Sequence, residues 1–487
     1  VRVAFYTLGC KLNQSETESI SAAFSESGWS VVPLSEGADL FIINTCTVTS
    51  KSEQKARRII RKISGENSRA VMIITGCYAQ MNPEELKSLG SDVFVLPLDR
   101  KEELLDLPGR LALCSREICP QELSLEVGRI LGTEVEIPEV EIPEAEIPEA
   151  EIPTPEDSRK ASRFRFLPQS TSEHVRGFVK IQDGCNNRCA YCRVPLARGN
   201  SVSLQSKEVI QRIQSLESRG VREAVLTGVN ISQYRDGGLN FTDLLSRILS
   251  ETSQIRIRLS SLEPETIDEN LGSVLEHSRL CPHFHIPVQS GSSKILNRMR
   301  RKYTPRVVEE GIGILRQAKK DPFIAADIIV GFPGEGEEDF LDTLNLFENL
   351  DFSFGHIFPF SPRPGTEAYN LTPKIPERIS RERADLLQQK SLLQHNRYIQ
   401  RFVNRELSFL VESLKKVSPG DGGWGGWVEG SEKSPLWLGT TENYLKPVVR
   451  GAPESGCLGE VWQVRLEEFD PAFPQKVSAL FLRKQEP

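Results

Sequence analysis

The sequence predicts an α/β protein built from three folded parts, and three observations predict it. Apolar runs alternate with helical patterns over residues 1–107, the order that builds a doubly wound parallel sheet. A strand–helix unit then recurs six times between residues 175 and 365, as in an open, partial (βα)6 barrel. Beyond residue 405 the pattern changes to short alternating β segments with turns between them, the mark of a small antiparallel β-barrel.

The totals agree. At 487 residues the chain exceeds what one hydrophobic core accommodates. Hydrophobic residues make up 38% and charged residues 26%, as in globular proteins. No run of about 18 apolar residues occurs, so no membrane span is expected. Val1 leads straight into an apolar strand without a basic flank, which predicts no signal peptide. Ten cysteines in such a chain point to reduced thiols or metal sites in the cytoplasm, not to a disulfide framework. The net charge of −7 argues against a nucleic-acid partner only superficially. Residues 134–156 hold nine Glu and no Lys or Arg, so the rest of the chain is slightly basic and its local patches can meet RNA.

In the first part, strands are expected at 1–8, 39–45, 70–75 and 93–97 and helices at 13–28, 50–65 and 82–90. Cys10, Cys46 and Cys77 each follow one of the first three strands. Strand C-terminal ends share one edge of an open parallel sheet, so the three thiols can converge there on a metal cluster. A single cysteine in such a place would be only a small buried residue. Lys51, Lys55 and Arg58 lie on one face of the following helix, either a solvated face or an RNA-phosphate contact.

Residues 108–170 read as a linker. Two EVEIP and two EAEIP pentads run from Glu134 to Pro153, and proline every fifth residue forbids a helix. An extended, solvated tether is expected. Cys114 and Cys119 read as plain thiols.

Residues 171–404 hold the six-unit repeat, with strands expected at 177–183, 223–229, 255–262, 283–289, 323–333 and 354–362. After the first strand comes GCNNRCAYC (184–192), with Cys185, Cys189 and Cys192 spaced C-x3-C-x2-C. Three thiolates on one loop can hold three irons of a 4Fe-4S cluster and leave the fourth iron open for a small molecule. A zinc loop with a fourth ligand elsewhere, or three unrelated thiols, fits the spacing too. Other unusual residues fall at the same strand ends, where ligands of such folds bind: Tyr191, Gly228, Asn230, Glu263, Gln289, Gly331 and Gly334. The basic run 298–302 includes Arg300 and Arg301, either surface charge or RNA contact. Residues 376–404 form one long polar helix, and 405–487 the small β-barrel. There Tyr444, Lys446 and Arg450 could stack on bases and meet phosphates, or be a core Tyr beside surface charges.

With these residues in view, the chain resembles the methylthiotransferase family of radical S-adenosylmethionine (SAM) enzymes. TLGCKLNQSETE (7–18), INTCTVTSKSEQKARR (43–58), TGCYAQ (75–80), GCNNRCAYC, HIPVQSGS (285–292), VGFPGE (330–335) and GTTENYLK (439–446) carry the resemblance, which covers residues 1–107 and 171–485. It implies an N-terminal methylthiotransferase domain, a radical SAM partial barrel and a C-terminal RNA-binding TRAM domain. Cys185, Cys189 and Cys192 match the ligands of the SAM-binding 4Fe-4S cluster, and Cys10, Cys46 and Cys77 those of a second, auxiliary 4Fe-4S cluster. The implied reaction inserts sulfur at an unactivated C–H and caps it with a methyl group from a second SAM. It needs an external electron donor, such as flavodoxin or ferredoxin, and a sulfur source. TLGCKLNQSETE looks like the branch that modifies threonylcarbamoyladenosine at tRNA position 37, in the anticodon stem-loop. The isopentenyladenosine branch usually reads GCQMN there, and a branch acting on a ribosomal-protein aspartate reads GCPKN. Arg193 and Leu196 depart from the family pattern after the third cysteine of that loop. A non-catalytic RNA-binding protein with closed metal sites is the competing class.

Overall fold

The computed structural model describes the chain except residues 68–69, 91, 115–119, 133–162, 169–174, 418–433, 454–455, 471–472 and 486–487. The Glu/Ile/Pro pentads, the Gly/Trp turn at 422–430 and Cys119 therefore lie outside the described residues. The chain forms two compact units. One comprises Val1–Gln169, Lys180–Asn187 and Cys192–Leu204, and the other Ser170–Val179, Arg188–Tyr191 and Gln205–Pro487.

In the first unit, strands β1 (Arg2–Thr7), β2 (Ser30–Val31), β3 (Leu40–Thr45), β4 (Val71–Gly76) and β5 (Val93–Val95) form a parallel sheet in the order β2-β1-β3-β4-β5. Every residue of β3 and β4 is buried, as continuous apolar runs in a sheet covered on both faces must be. Alternation divides them: Leu40 and Ile42 pack with Ile20 and Phe24, whereas Phe41 and Ile43 pack with Ile60 and Ile63. Ile20 and Phe24 come from the helix Lys11–Glu26, and Ile60 and Ile63 from Ser50–Glu66. Thr49 caps the second helix by accepting from the Ser52 amide at 3.2 Å.

The expected linker from residue 108 is corrected. Helices Glu103–Cys114 and Pro120–Leu131 place Leu107, Leu111, Leu123 and Val127 in the same core layer as Leu40 and Phe24. Leu104, Leu107 and Leu111 are spaced as one helix face, so burying them outweighs Pro108 within the helix. Phe166 joins that layer, and Arg165 pairs with Asp106 at 2.7 Å. This unit also holds a two-stranded ribbon, β7 (Gln182–Asp183) and β8 (Val202–Ser203), and the short helix Val194–Arg198.

Six strands in chain order form the second part of the fold, all in the second unit except Lys180 at the end of the first of them. β6 (Gly177–Lys180), β9 (Glu223–Thr227) and β10 (Arg256–Leu259) form one sheet, and β11 (His283–Gln289), β12 (Phe323–Val330) and β13 (Phe354–Pro359) another. Parallel bridges Ile257–Leu280 and Ser261–His285 join the two. Helices separate successive strands, and β6 and β13 remain edges, which gives the open barrel that the sequence predicts.

Strands β14 (Glu406–Val417), β15 (Ser434–Thr441), β16 (Val448–Arg450), β17 (Val461–Asp470) and β18 (Phe473–Lys484) close into a small barrel. Trp437 and Trp462 meet edge to face at 5.2 Å in its core. The same apolar cluster takes in Phe323 of β12 and Tyr398 and Ile399 of the long helix Glu377–Gln400, which ties the barrel to the strands. A buried ion pair secures the joint. Arg258 donates to Glu223 at 2.7 Å and to the Thr441 and Glu442 carbonyls at 3.1 Å. Burial alone would raise the Glu223 pKa, yet Arg258 and Arg256 hold it well below the usual carboxylate range. Among the described residues, no helix is long and apolar enough to cross a membrane.

Gly76 ends β4 with φ +98°, and a Cβ there would fall on the Thr45 carbonyl and 2.6 Å from Asn44 Oδ1. Gly76→Ala should therefore lower stability by about 2 kcal/mol or more, read as a lower urea midpoint with unchanged m.

Candidate functional site

In the first unit, Cys10 is the N-cap of the helix after β1, Cys46 follows β3, and Cys77 opens the helix after β4. These are the three central strands of the sheet, so their ends deliver three thiols to one edge. Gly9 lets the first turn come close: at φ +108°, a Cβ there would stand 2.9 Å from Cys46 Cβ and 3.1 Å from its Sγ. Each sulfur has a donor. The Val48 amide points at Cys46 Sγ (3.5 Å), Arg198 Nε at Cys77 Sγ (3.4 Å), and the Asn13 amide at Cys10. Burial pushes the free Cys46 thiol up to about 12.

Arg198 belongs to a buried charge network that sequence reasoning missed. Its guanidinium reaches Asp183 Oδ1 at 3.0 Å, Glu16 Oε1 at 3.2 Å and Asn13 Oδ1 at 2.8 Å. Glu16 also takes Lys101 at 2.5 Å and Lys180 at 2.8 Å, and Lys180 reaches Asp183 at 2.7 Å. Three cations thus face two carboxylates, all almost fully excluded from solvent. A buried excess positive charge is costly unless an anion answers it. Cys77 and Cys10 are the groups beside it, and both act on Arg198 electrostatically. The donor set therefore suits thiolates bound to a metal cluster better than neutral thiols. Arg193 is likewise buried, 3.1 Å from both Thr47 Oγ1 and Glu53 Oε1. The basic residues of that loop are thus committed to ion pairs within the unit.

Cys185 and Cys192 belong to the first unit as well. The Asn187 amide donates to Cys185 Sγ and the Val194 amide to Cys192 Sγ, each at 3.4 Å. Gly184, at φ +69°, lets the Cys185 amide reach the Gly199 carbonyl at 3.1 Å; a Cβ would strike Asn200. Amide N–H groups aimed at sulfur favour the thiolate.

Cys189 and Tyr191 belong to the second unit. Arg301 Nη1 donates to Cys189 Sγ at 3.1 Å, while its Nη2 pairs with Glu263. Glu263 also accepts from Asn230 Nδ2 at 3.1 Å. The Tyr191 ring meets Phe332 edge-on at 6.4 Å. Asn230, Glu263 and Tyr191 are thereby placed around the Cys189 segment. Gln289 is buried with φ +63° at the end of β11, and Gly228 directly follows β9. Gly331 and Gly334 answer to packing: Cβ atoms there would meet Ser380 and Arg298.

Of the expected RNA contacts, Lys51, Lys55, Arg58 and Lys446 are exposed. Arg300 is exposed and pairs with Glu367 at 2.6 Å. Two expectations are corrected. Arg301 is buried against Cys189 and Glu263, so it is not a phosphate contact. Tyr444 packs on His283 at 3.9 Å and on Phe323 at 5.8 Å, so its ring faces are engaged within the fold.

Residues 2–96 match a family model described as "Uncharacterized protein family UPF0004", and residues 179–347 match "Radical SAM superfamily". The chain is 40% identical to the threonylcarbamoyladenosine tRNA methylthiotransferase MtaB of Treponema pallidum, covering 84% of this chain and 91% of that protein. It is 34% identical to the protein of the same name from Bacillus subtilis, over 95% and 93% of the two chains. It is 30% identical to the tRNA-2-methylthio-N(6)-dimethylallyladenosine synthase of Treponema denticola, over 95% and 97%.

Arg198→Met takes the guanidinium donors from Asn13, Glu16 and Asp183 but leaves two cations facing two carboxylates, so it should lower the stability of the metal-free chain by about 1–3 kcal/mol in chemical denaturation, and Arg198→Lys by less. The acid limb should change too. Burial would raise the Asp183 pKa, but Arg198 and Lys180 hold it below its unfolded value. Its contribution is full above the unfolded pKa and is lost as pH falls towards the depressed one, so Arg198→Met should flatten stability against pH below about 4.

Proposed function

The chain belongs to the radical SAM tRNA methylthiotransferases, and from that premise we propose that it methylthiolates carbon 2 of threonylcarbamoyladenosine at position 37 of tRNA. Relatives bearing that substrate in their names at 34–40% identity support the choice of branch. The observation that supports thiolate ligands in both sets is the pairing of a buried guanidinium with one thiol of each, Arg198 with Cys77 and Arg301 with Cys189.

In this reading Cys185, Cys189 and Cys192 hold a 4Fe-4S cluster that binds SAM, and Cys10, Cys46 and Cys77 hold a second. When bound, these groups supply a 5′-deoxyadenosyl radical able to break an unactivated C–H bond, and the sulfur to be inserted. The chain's own residues hold and screen. Arg198 and Arg301 each direct an N–H to a ligand sulfur and offset its negative charge. Glu263 fixes Arg301 and is itself fixed by Asn230, so the guanidinium is oriented before anything binds. Exposed Lys51, Lys55, Arg58 and Lys446 supply cations for the phosphates of the anticodon stem-loop. The chemistry requires an external electron donor, a sulfur source and a reducing compartment such as the cytoplasm.

Nucleoside mass spectrometry of total tRNA from cells with and without the chain tests this. Loss of the 2-methylthio form with threonylcarbamoyladenosine accumulating is expected. Accumulating isopentenyladenosine instead would overturn the branch, and an unchanged tRNA profile would overturn the tRNA reading.

A further inference from the structure

One group of titratable side chains in the second unit has no part in the cysteine sites. His285 of β11, Asp327 of β12 and His356 of β13 lie on three adjacent strands, Asp327 level with His356 and His285 one side-chain step lower, level with Ala325. His285 Nε2 and Asp327 Oδ1 are 2.8 Å apart, and the His285 and His356 rings stack at 5.1 Å. Ligand atoms of all three lie within 4.8 Å of one another. The side chains of His285 and Asp327 are 24% and 26% exposed, so the group opens to solvent.

Strand alternation says what this face is. Phe284, Ile286 and Val288 point the other way and are completely buried. The face with His285 and Asp327 is closed at the N-terminal ends of the strands, where His283 and Phe323 pack on Tyr444 at 3.9 and 5.8 Å. One side-chain step beyond the group, towards the C-terminal ends, lie Ile329 and its lateral neighbour Phe358. Ile329 packs against the apolar cluster that includes Ala190 of the cysteine loop, and Phe358 exposes 43% of its surface. The polar trio is thus the middle layer of an open face. Below it is an aromatic plug, and above it are an exposed aromatic ring and the segment that carries Cys189.

We propose that His285, Asp327 and His356 form the polar floor of the nucleoside pocket and read the hydrogen-bonding groups of the substituent on the adenine exocyclic amine. The inference rests on the tRNA methylthiotransferase reading and adds the determinant of substrate choice. Asp327 orients the His285 ring and accepts from hydroxyl or ureido N–H donors, and a histidine ring N–H donates to a carboxylate or carbonyl. A threonylcarbamoyl group offers all of these. A dimethylallyl group offers none, and seating it here would strip water from three polar side chains without replacing their partners. Phe358, at the rim, gives the base an aromatic face to stack on.

The test compares anticodon stem-loop RNAs carrying threonylcarbamoyladenosine, isopentenyladenosine or plain adenosine. Affinity and methylthiolated product are measured with reconstituted wild type, His356→Phe and Asp327→Asn, with cluster iron checked in each. Wild type should prefer the first RNA. Either variant should cut its preference over isopentenyladenosine by about 10-fold or more at unchanged iron content. Unchanged preference in both variants, with wild type still converting threonylcarbamoyladenosine, overturns the proposal and leaves the tRNA reading standing. A wild type that converts neither RNA overturns both. A metal ion beyond the cluster iron, held by wild type and lost in His356→Phe, overturns the proposal in favour of a metal centre.

Discussion

The Arg198 guanidinium in the first unit is the interaction on which the candidate chemistry depends. It touches Asn13 and Glu16 of the first helix, Asp183 before the cysteine loop, and Cys77 at the end of β4. A buried guanidinium holds its partners in register because each contact is a directed N–H bond, and losing any one leaves a charge in a low-dielectric interior. Lys101 and Lys180 share the same carboxylates, so the network carries more positive than negative charge. That excess makes the adjacent sulfurs a favourable place for anionic thiolates.

The second unit repeats the device with different residues. Arg301 spans Cys189 and Glu263, and Asn230 locks Glu263. A third buried arginine, Arg258, pairs with Glu223 and holds the turn after β15 against the parallel strands. In each case a guanidinium supplies several fixed donors where a lysine would supply one point charge. The open barrel keeps a polar, accessible face because its floor is closed by the small barrel's Tyr444 and its rim is left to the cysteine segment.

Much of this was legible in the sequence, and the reasons it was not elsewhere are physical. The parallel strands announce themselves as apolar runs such as LFIINT, and the two cysteine sets fall at strand ends. The helices at Glu103–Cys114 and Pro120–Leu131 were hidden because the adjoining pentad repeat dominates the composition, although the spacing of Leu104, Leu107 and Leu111 carries their signal. Nothing in the sequence marks Lys180 and Arg198 as buried, because their burial is decided by a partner distant in the chain, Glu16. Arg301 sits in a basic run that reads as one patch, yet Arg300 faces solvent and Arg301 faces Cys189. Tyr444 beside Lys446 reads equally as a stacking platform or as a core Tyr beside surface charges, and its ring packs on His283 and Phe323.

The claim that the chain holds two distinct three-thiolate cluster sites is tested most directly by iron and sulfide analysis with Mössbauer spectra. The samples are the anaerobically reconstituted chain and two triple variants, one with Cys10, Cys46 and Cys77 changed to alanine, the other with Cys185, Cys189 and Cys192 so changed. The account predicts about eight irons per chain, falling to about four in each triple variant, with the remaining cluster's spectrum retained. A triple variant that keeps the full iron content, or zinc in place of iron at either set, would contradict it.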